Sequence, residues 1–123
     1  VSDAHKKDVT GVARQFAELG FQIISTSGTA AVLEQDGLAV ERVFKLQEGR
    51  PNALDLLKNR EIQLVINTPS GQLPRADEIR IRTTAVYTNT PIMTTLSSAR
   101  AAAQAIAALK RRGYEVKTLQ EYH

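Results

Sequence analysis

The chain has 123 residues, enough for one domain and too few for two, so residues 1–123 are read as a single unit. Its 16 Lys and Arg against 13 Asp and Glu give a net charge of +3, scattered apart from Lys110, Arg111 and Arg112; nucleic-acid surfaces concentrate cations in a stripe, so neither DNA nor RNA is expected, whereas a small anion is. The absence of Cys, the presence of only His5 and His123, and the lack of any apolar run near the roughly 20 residues of a membrane span leave disulfides, thiolate chemistry, a zinc site and a membrane partner unsupported, and a cytoplasmic compartment is expected.

The chain opens on Val1-Ser2 rather than Met, so a piece of a longer protein is expected, with these two residues the end of a truncated first strand. Apolar residues at Val9, Val12, Ala13, Phe16 and Leu19 have helical spacing; Ser2 or Asp3 caps that helix and Gly20 ends it. Residues 21–24 read as a strand, 26–29 as a polar turn and 30–35 as a short helix closed by Gly37. Residues 40–44 read as a strand and 48–51 as a turn, after which Asn52 caps a helix reaching Lys58. The run Gln63-Leu64-Val65-Ile66-Asn67 is the plainest strand, followed by a loop through Leu73 and a helix from Pro74 or Asp77 to Val86. Residues 91–94 form a last short strand. Ser97 or Ser98 caps a final helix, with Ala102, Ala103, Ile106 and Leu109 inward and Gly113 as its stop. The tail, 114–123, suits an edge strand or a linker.

Strands alternating with helices imply βαβ units around a parallel sheet. In such sheets ligands bind beyond the carboxyl ends of the strands, and the residues expected there are polar. Ser25-Thr26-Ser27-Gly28-Thr29 is the most informative stretch, because it joins a strand to a helix N-terminus. Free backbone N–H groups there carry partial positive charge and can hold phosphate, Gly28 lets the backbone come close, and the Thr26 and Thr29 hydroxyls add donors. The same residues also serve as ordinary turn and cap residues, and no Gly-Lys-Ser/Thr follows to complete a P-loop. Glu48 and Asp55 suggest either a pair of acid–base carboxylates or a helix-start pair near Asn52, and the second is preferred. Arg82 either lines the site or makes a surface ion pair.

Taken in order, Leu19-Gly20-Phe21, Ser25-Thr26-Ser27-Gly28-Thr29, Lys45, Glu48-Gly49-Arg50-Pro51, Ile66-Asn67-Thr68, Ser70-Gly71 and Thr94-Thr95-Leu96 resemble the effector domain of carbamoyl phosphate synthetase large subunits, of the methylglyoxal synthase-like superfamily. The resemblance implies a three-layer α/β/α fold with a five-stranded parallel sheet. It implies a non-catalytic regulatory module that needs no cofactor and binds a nucleotide monophosphate, of the uridylate or inosinate type. Phosphate and nucleotide contacts carry over to Lys6, Thr26, Ser27, Gly28, Thr29, Lys45, Asn67, Thr68 and Ser70, and an ornithine-side contact to Thr94. The implied parent enzyme uses ATP with Mg or Mn, and potassium, and pairs with a glutaminase small subunit; the rest of the large subunit and further copies are the other implied partners. The sequence departs from a bacterial pattern at Ser27, Pro69, Gln72 and Leu73, where His, Thr and two Arg are usual, with Arg75 close enough to substitute in part.

Two relatives of the resemblance are enzymes. A methylglyoxal synthase needs a catalytic Asp, which Asp55 approximates, and a His after the fourth strand, where this chain carries Arg75. A cyclohydrolase domain of purine synthesis is similar at Ser2-Asp3 and Ile24–Thr29, but Glu48–Pro51 and Asn67–Gly71 follow the synthetase pattern. A domain used mainly for oligomer contacts is the third alternative.

Overall fold

The structure is a computed structural model describing residues 3–67 and 74–113, with residues 3–6 described by their backbone only. In chain order it contains α1 (Asp3–Glu18), β1 (Ile23–Ser25), α2 (Ser27–Gln35), β2 (Val40–Arg42), α3 (Ala53–Lys58), β3 (Val65–Ile66), α4 (Arg75–Tyr87), β4 (Ile92–Met93) and α5 (Leu96–Arg111).

The spacing that predicts α1 also builds the first core. Val12 and Phe16 lie one turn apart on one face and are buried against Ala99 and Ala103 of α5. The small side chains of Ala99 and Ala103 leave room on α5 for Val12 and Phe16 of α1. Ala99 was not among the residues expected to face inward, whereas Ala103 was, and Ala102 and Ile106 pack at the margin. Gly20 takes φ 97°, a left-handed conformation that L side chains rarely adopt, and the chain turns there. Phe21 then bonds back through its N–H to the Phe16 carbonyl, and the two rings meet edge to face at 5.3 Å. That bond holds Phe21 at the helix end, which is why β1 starts at Ile23 rather than at residue 21.

Among the described residues all strand pairing is parallel. Ile23, Ile24 and Ser25 pair with Val40, Glu41 and Arg42, and Val65 and Ile66 pair with Ile92 and Met93. The described residues therefore contain four short strands in two pairs, where a five-stranded sheet was expected. The expected first strand at residues 1–2 and the tail at 114–123 lie outside the described residues. Beyond β2 the expected strand survives only as an isolated bridge between Phe44 and Asn52.

The β3–β4 pair is covered on both faces. Leu64 and Met93 pack on the α1–α5 cluster, while Val65 and Ile92 pack on the second core of Leu54, Leu57, Ile81 and Ala85 from α3 and α4. Successive strand residues point to opposite faces, so covering both sides calls for adjacent apolar residues, as in Leu64-Val65, while Ile66 at the strand's end is left exposed.

Two helix starts show how local chemistry sets the boundaries. At α3 the predicted cap is correct: the Asn52 side chain accepts the Leu54 N–H at 3.0 Å, and the Asp55 carboxylate accepts the Asn52 N–H at 2.9 Å. At α5 the cap is Thr95, not Ser97 or Ser98. Its Oγ1 accepts the Ser98 N–H at 3.0 Å, so both serines fall inside the first turn.

Candidate functional site

The carboxyl end of β1 runs straight into α2. Thr26 is the N-cap residue, extended at φ −75° and ψ 165°, and its carbonyl accepts the Ala30 N–H at 2.9 Å. Its hydroxyl makes no capping bond, so the N–H groups that open α2 receive no side-chain cap. Ser27, Gly28 and Thr29 form the exposed first turn of α2, whereas a turn preceding the helix was expected. The reason is that Ser and Thr tolerate first-turn positions, and Gly28 does not need a left-handed φ here. A Cβ added at Gly28 would meet nothing within 4 Å, so the space above this turn is open to an incoming group.

The neighbouring strand brings a second piece alongside. The Val43 N–H donates to the Ser25 carbonyl at 3.0 Å, which sets the exit of β2 beside the start of α2. Lys45 follows two residues later with an exposed side chain. Its backbone N–H donates to Glu48 Oε1 at 2.9 Å, and the Glu48 N–H donates to the Lys45 carbonyl at 2.9 Å. Glu48 therefore closes the turn that presents Lys45.

The β3–β4 pair assembles the other part. The Asn67 N–H donates to the Met93 carbonyl at 2.9 Å, so half-buried Asn67 lies beside exposed Thr94. Lys6 belongs to the first turn of α1 by its backbone, and its side chain lies outside the described residues, as do Thr68 and Ser70 entirely. Of the departures from the family pattern, Pro69, Gln72 and Leu73 also lie outside, while Arg75 opens α4 with an exposed side chain.

Beside the Lys45 turn lies an open groove of about 480 Å³, walled by Leu46, Gln47, Arg50, Lys58 and Arg80 among others. Sequence reasoning gave no role to Lys58 or Arg80, because they sit on separate helices and converge only through packing. Buried Asp77 braces this wall by accepting a bond from Gln47 Nε2 at 3.3 Å. Arg82 makes the surface ion pair with Glu78, at 3.2 Å.

The carboxylates near the groove are committed to structure. Asp55 accepts Arg50 Nε at 2.9 Å on one oxygen and the Asn52 N–H on the other. These bonds, that from Arg50 foremost, hold its carboxyl below the ordinary carboxylate range. Asp55 thus serves the start of α3, as preferred from sequence, whereas Glu48 closes the Lys45 turn instead of joining it at the helix start. Among the described residues no group of three or more His, Asp or Glu side chains is arranged to hold a metal, and no helix is long and apolar enough to cross a membrane.

Residues 8–94, which run from within α1 to the exit of β4, match the family model described as the MGS-like domain. The chain belongs to the MGS-like domain family. Its similarity to the large chain of carbamoyl phosphate synthase extends beyond that match. The large chain from Acidobacterium capsulatum is 48% identical over 123 residues, covering 100% of this chain and 11% of the relative. That from Nostoc sp. is 45% identical over 122 residues, 99% of this chain and 11% of the relative. The arginine-specific, chloroplastic large chain of Oryza sativa subsp. japonica is 46% identical over 123 residues, 99% of this chain and 10% of the relative. This MGS-like domain therefore spans about a tenth of the length of these relatives.

Proposed function

We propose that this MGS-like domain is the allosteric effector-binding module of a carbamoyl phosphate synthase large chain, and that it takes a nucleotide monophosphate by its phosphate. The observation that carries the reading is the opening of α2: uncapped N–H groups, two hydroxyls and a glycine at the carboxyl end of a parallel strand, beside the exit toward Lys45. Helix N-termini suit anions because the helix dipole and free N–H groups point at them. In this reading Thr26, Ser27, Gly28 and Thr29 cradle the phosphate. Lys6 and Lys45 neutralise it, Asn67, Thr68 and Ser70 close the site, and the groove beside Lys45 has room for the nucleoside. The two strand pairs then belong to one five-stranded sheet of a three-layer α/β/α fold.

The module works without chemistry or a cofactor of its own. The parent enzyme, with ATP, Mg or Mn, potassium and a glutaminase subunit, makes carbamoyl phosphate for pyrimidine and arginine biosynthesis in the cytoplasm. Thr94 faces the parent's ornithine site. An effector regulates only through unequal affinity for active and inactive states. A typical coupling of about 1–3 kcal/mol is within reach of one or two charge-assisted hydrogen bonds. The place of Asp55 in the cap of α3, bonded to Arg50 and Asn52, favours a structural role over that of the acid or base of a methylglyoxal-forming lyase.

Calorimetric titration with uridylate, inosinate and inorganic phosphate tests the reading. Binding that weakens in Lys6→Ala and Thr29→Ala supports it. Binding that neither substitution alters overturns the site, and no binding of any of the three anions overturns the effector role.

A further inference from the structure

Helix α4 carries apolar side chains on two opposite sides. Its inner face, Asp77, Ile81 and Ala85, is buried on the second core. At about 100° per residue, Ile79 and Val86 stand on the far side of the helix from that core. They are 51% and 71% exposed, and the adjoining Tyr87 is 82% exposed. Arg75, Ile79, Arg82 and Val86 follow one another at spacings of four, three and four residues. That is the spacing of a seam between two packed helices. Helices that face solvent on one side normally carry polar residues there, and aromatic, apolar and Arg side chains together are the composition of an interface core.

We infer that the outer ridge of α4 is the surface on which this domain docks against a helix from elsewhere in the same large chain. The inference rests on the domain working inside that chain, as its relatives do. Two considerations select this occupant over a second copy. Two exposed apolar side chains on one ridge, with Tyr87 about a quarter-turn away, fall well short of the roughly 1,200–2,000 Å² that a stable interface between free partners buries. A tethered partner is present at an effective concentration on the order of millimolar, so a small ridge suffices in cis, and most of each relative's length lies outside the stretch this chain matches. The charges specify the rest. Arg82 is paired with Glu78, while Arg75 has no ion-pair partner among the described residues. The docking helix should carry a short apolar stripe with a carboxylate where it passes Arg75.

The test places a benzophenone amino acid at position 87, and separately at position 83, in the full-length large chain with its small subunit. After irradiation, the cross-linked peptides are mapped by mass spectrometry. Cross-links within one chain, to a helical segment outside this domain, are expected, and they should be lost when Ile79→Asp and Val86→Asp are combined. Cross-links to a second copy or to another polypeptide overturn the inference, and so does the absence of cross-links from both positions. Uridylate titration of the Ile79→Asp, Val86→Asp protein reads the effector site separately. Uridylate binding by a chain with the unaltered ridge that gives no cross-link sinks the docking surface alone; absent binding in a chain with the unaltered ridge that does cross-link sinks the effector reading alone.

Discussion

Gly28→Ala separates the stability of α2 from its proposed use. Gly28 lies in the first turn of α2, without a left-handed φ, and a Cβ placed there meets no atom within 4 Å. The protein itself thus gives no reason for glycine. Replacing Gly by Ala where the backbone allows it restricts the unfolded chain and stabilises by about 0.4–1 kcal/mol. For a domain of this size that corresponds to a rise of roughly 1–6 °C in Tm. A phosphate seated on the α2 N-terminus would meet the new methyl group. Displacing it far enough to lose one charge-assisted hydrogen bond costs about 1.5–3 kcal/mol, or roughly 10- to 150-fold in affinity. Thermal unfolding by circular dichroism and calorimetric titration with uridylate and inorganic phosphate read the two quantities on one preparation. The expected result is a protein that melts higher and binds both anions less tightly. Unchanged anion affinity would refute the placement of the phosphate over this turn, and a lower Tm would refute the helical reading of residues 27–29.

Thr95→Ala should destabilise the domain by about 0.5–2 kcal/mol, the usual loss for an N-cap oxygen, while Ser97→Ala should leave stability within about 0.5 kcal/mol; chemical denaturation of the pair checks which residue caps α5. The pH response follows from two carboxyls held below their ordinary values of 3.8 for Asp55 and 4.5 for Glu34, by hydrogen bonds from Arg50 and Arg42 respectively. A lowered folded-state value means that the unfolded chain takes up protons first as pH falls. The stabilisation is therefore fully present above the ordinary values and is lost on acidification through the lower, folded ones. Asp55→Asn should flatten that acid limb and lower stability at neutral pH, as seen in urea midpoints between pH 3 and 7; an unaltered acid limb would show that Arg50 does not hold the carboxylate.

Much of the fold was legible in the chain because local physics decides it. The 3–4 spacing of Val9, Val12 and Phe16, the stops at Gly20 and Gly37, and the Asn52 cap each act within one or two helical turns, and the structure places them as expected. Strand limits were less legible. They depend on bonds to distant residues, such as the Phe21 N–H to Phe16 and the Val43 N–H to Ser25, which no local pattern encodes. The cap of α5 was misplaced for a related reason: three hydroxyl residues at 95, 97 and 98 qualify by type, and only the extended backbone at Thr95 selects among them.

The candidate site divides in the same way. The sequence alone determined that Thr26-Ser27-Gly28-Thr29 would stand where a strand meets a helix, since polarity, glycine and the flanking apolar runs mark that junction. Only the tertiary structure decided what stands beside it. Parallel pairing put the exit toward Lys45 next to the start of α2 and set Asn67 beside Thr94, while the packing of α3 on α4 drew Lys58 and Arg80 into one groove wall. It also left Ile79, Val86 and Tyr87 uncovered on α4. Composition sets how many apolar residues a helix carries, but which of its faces meets a core is fixed by packing against elements far away in the chain.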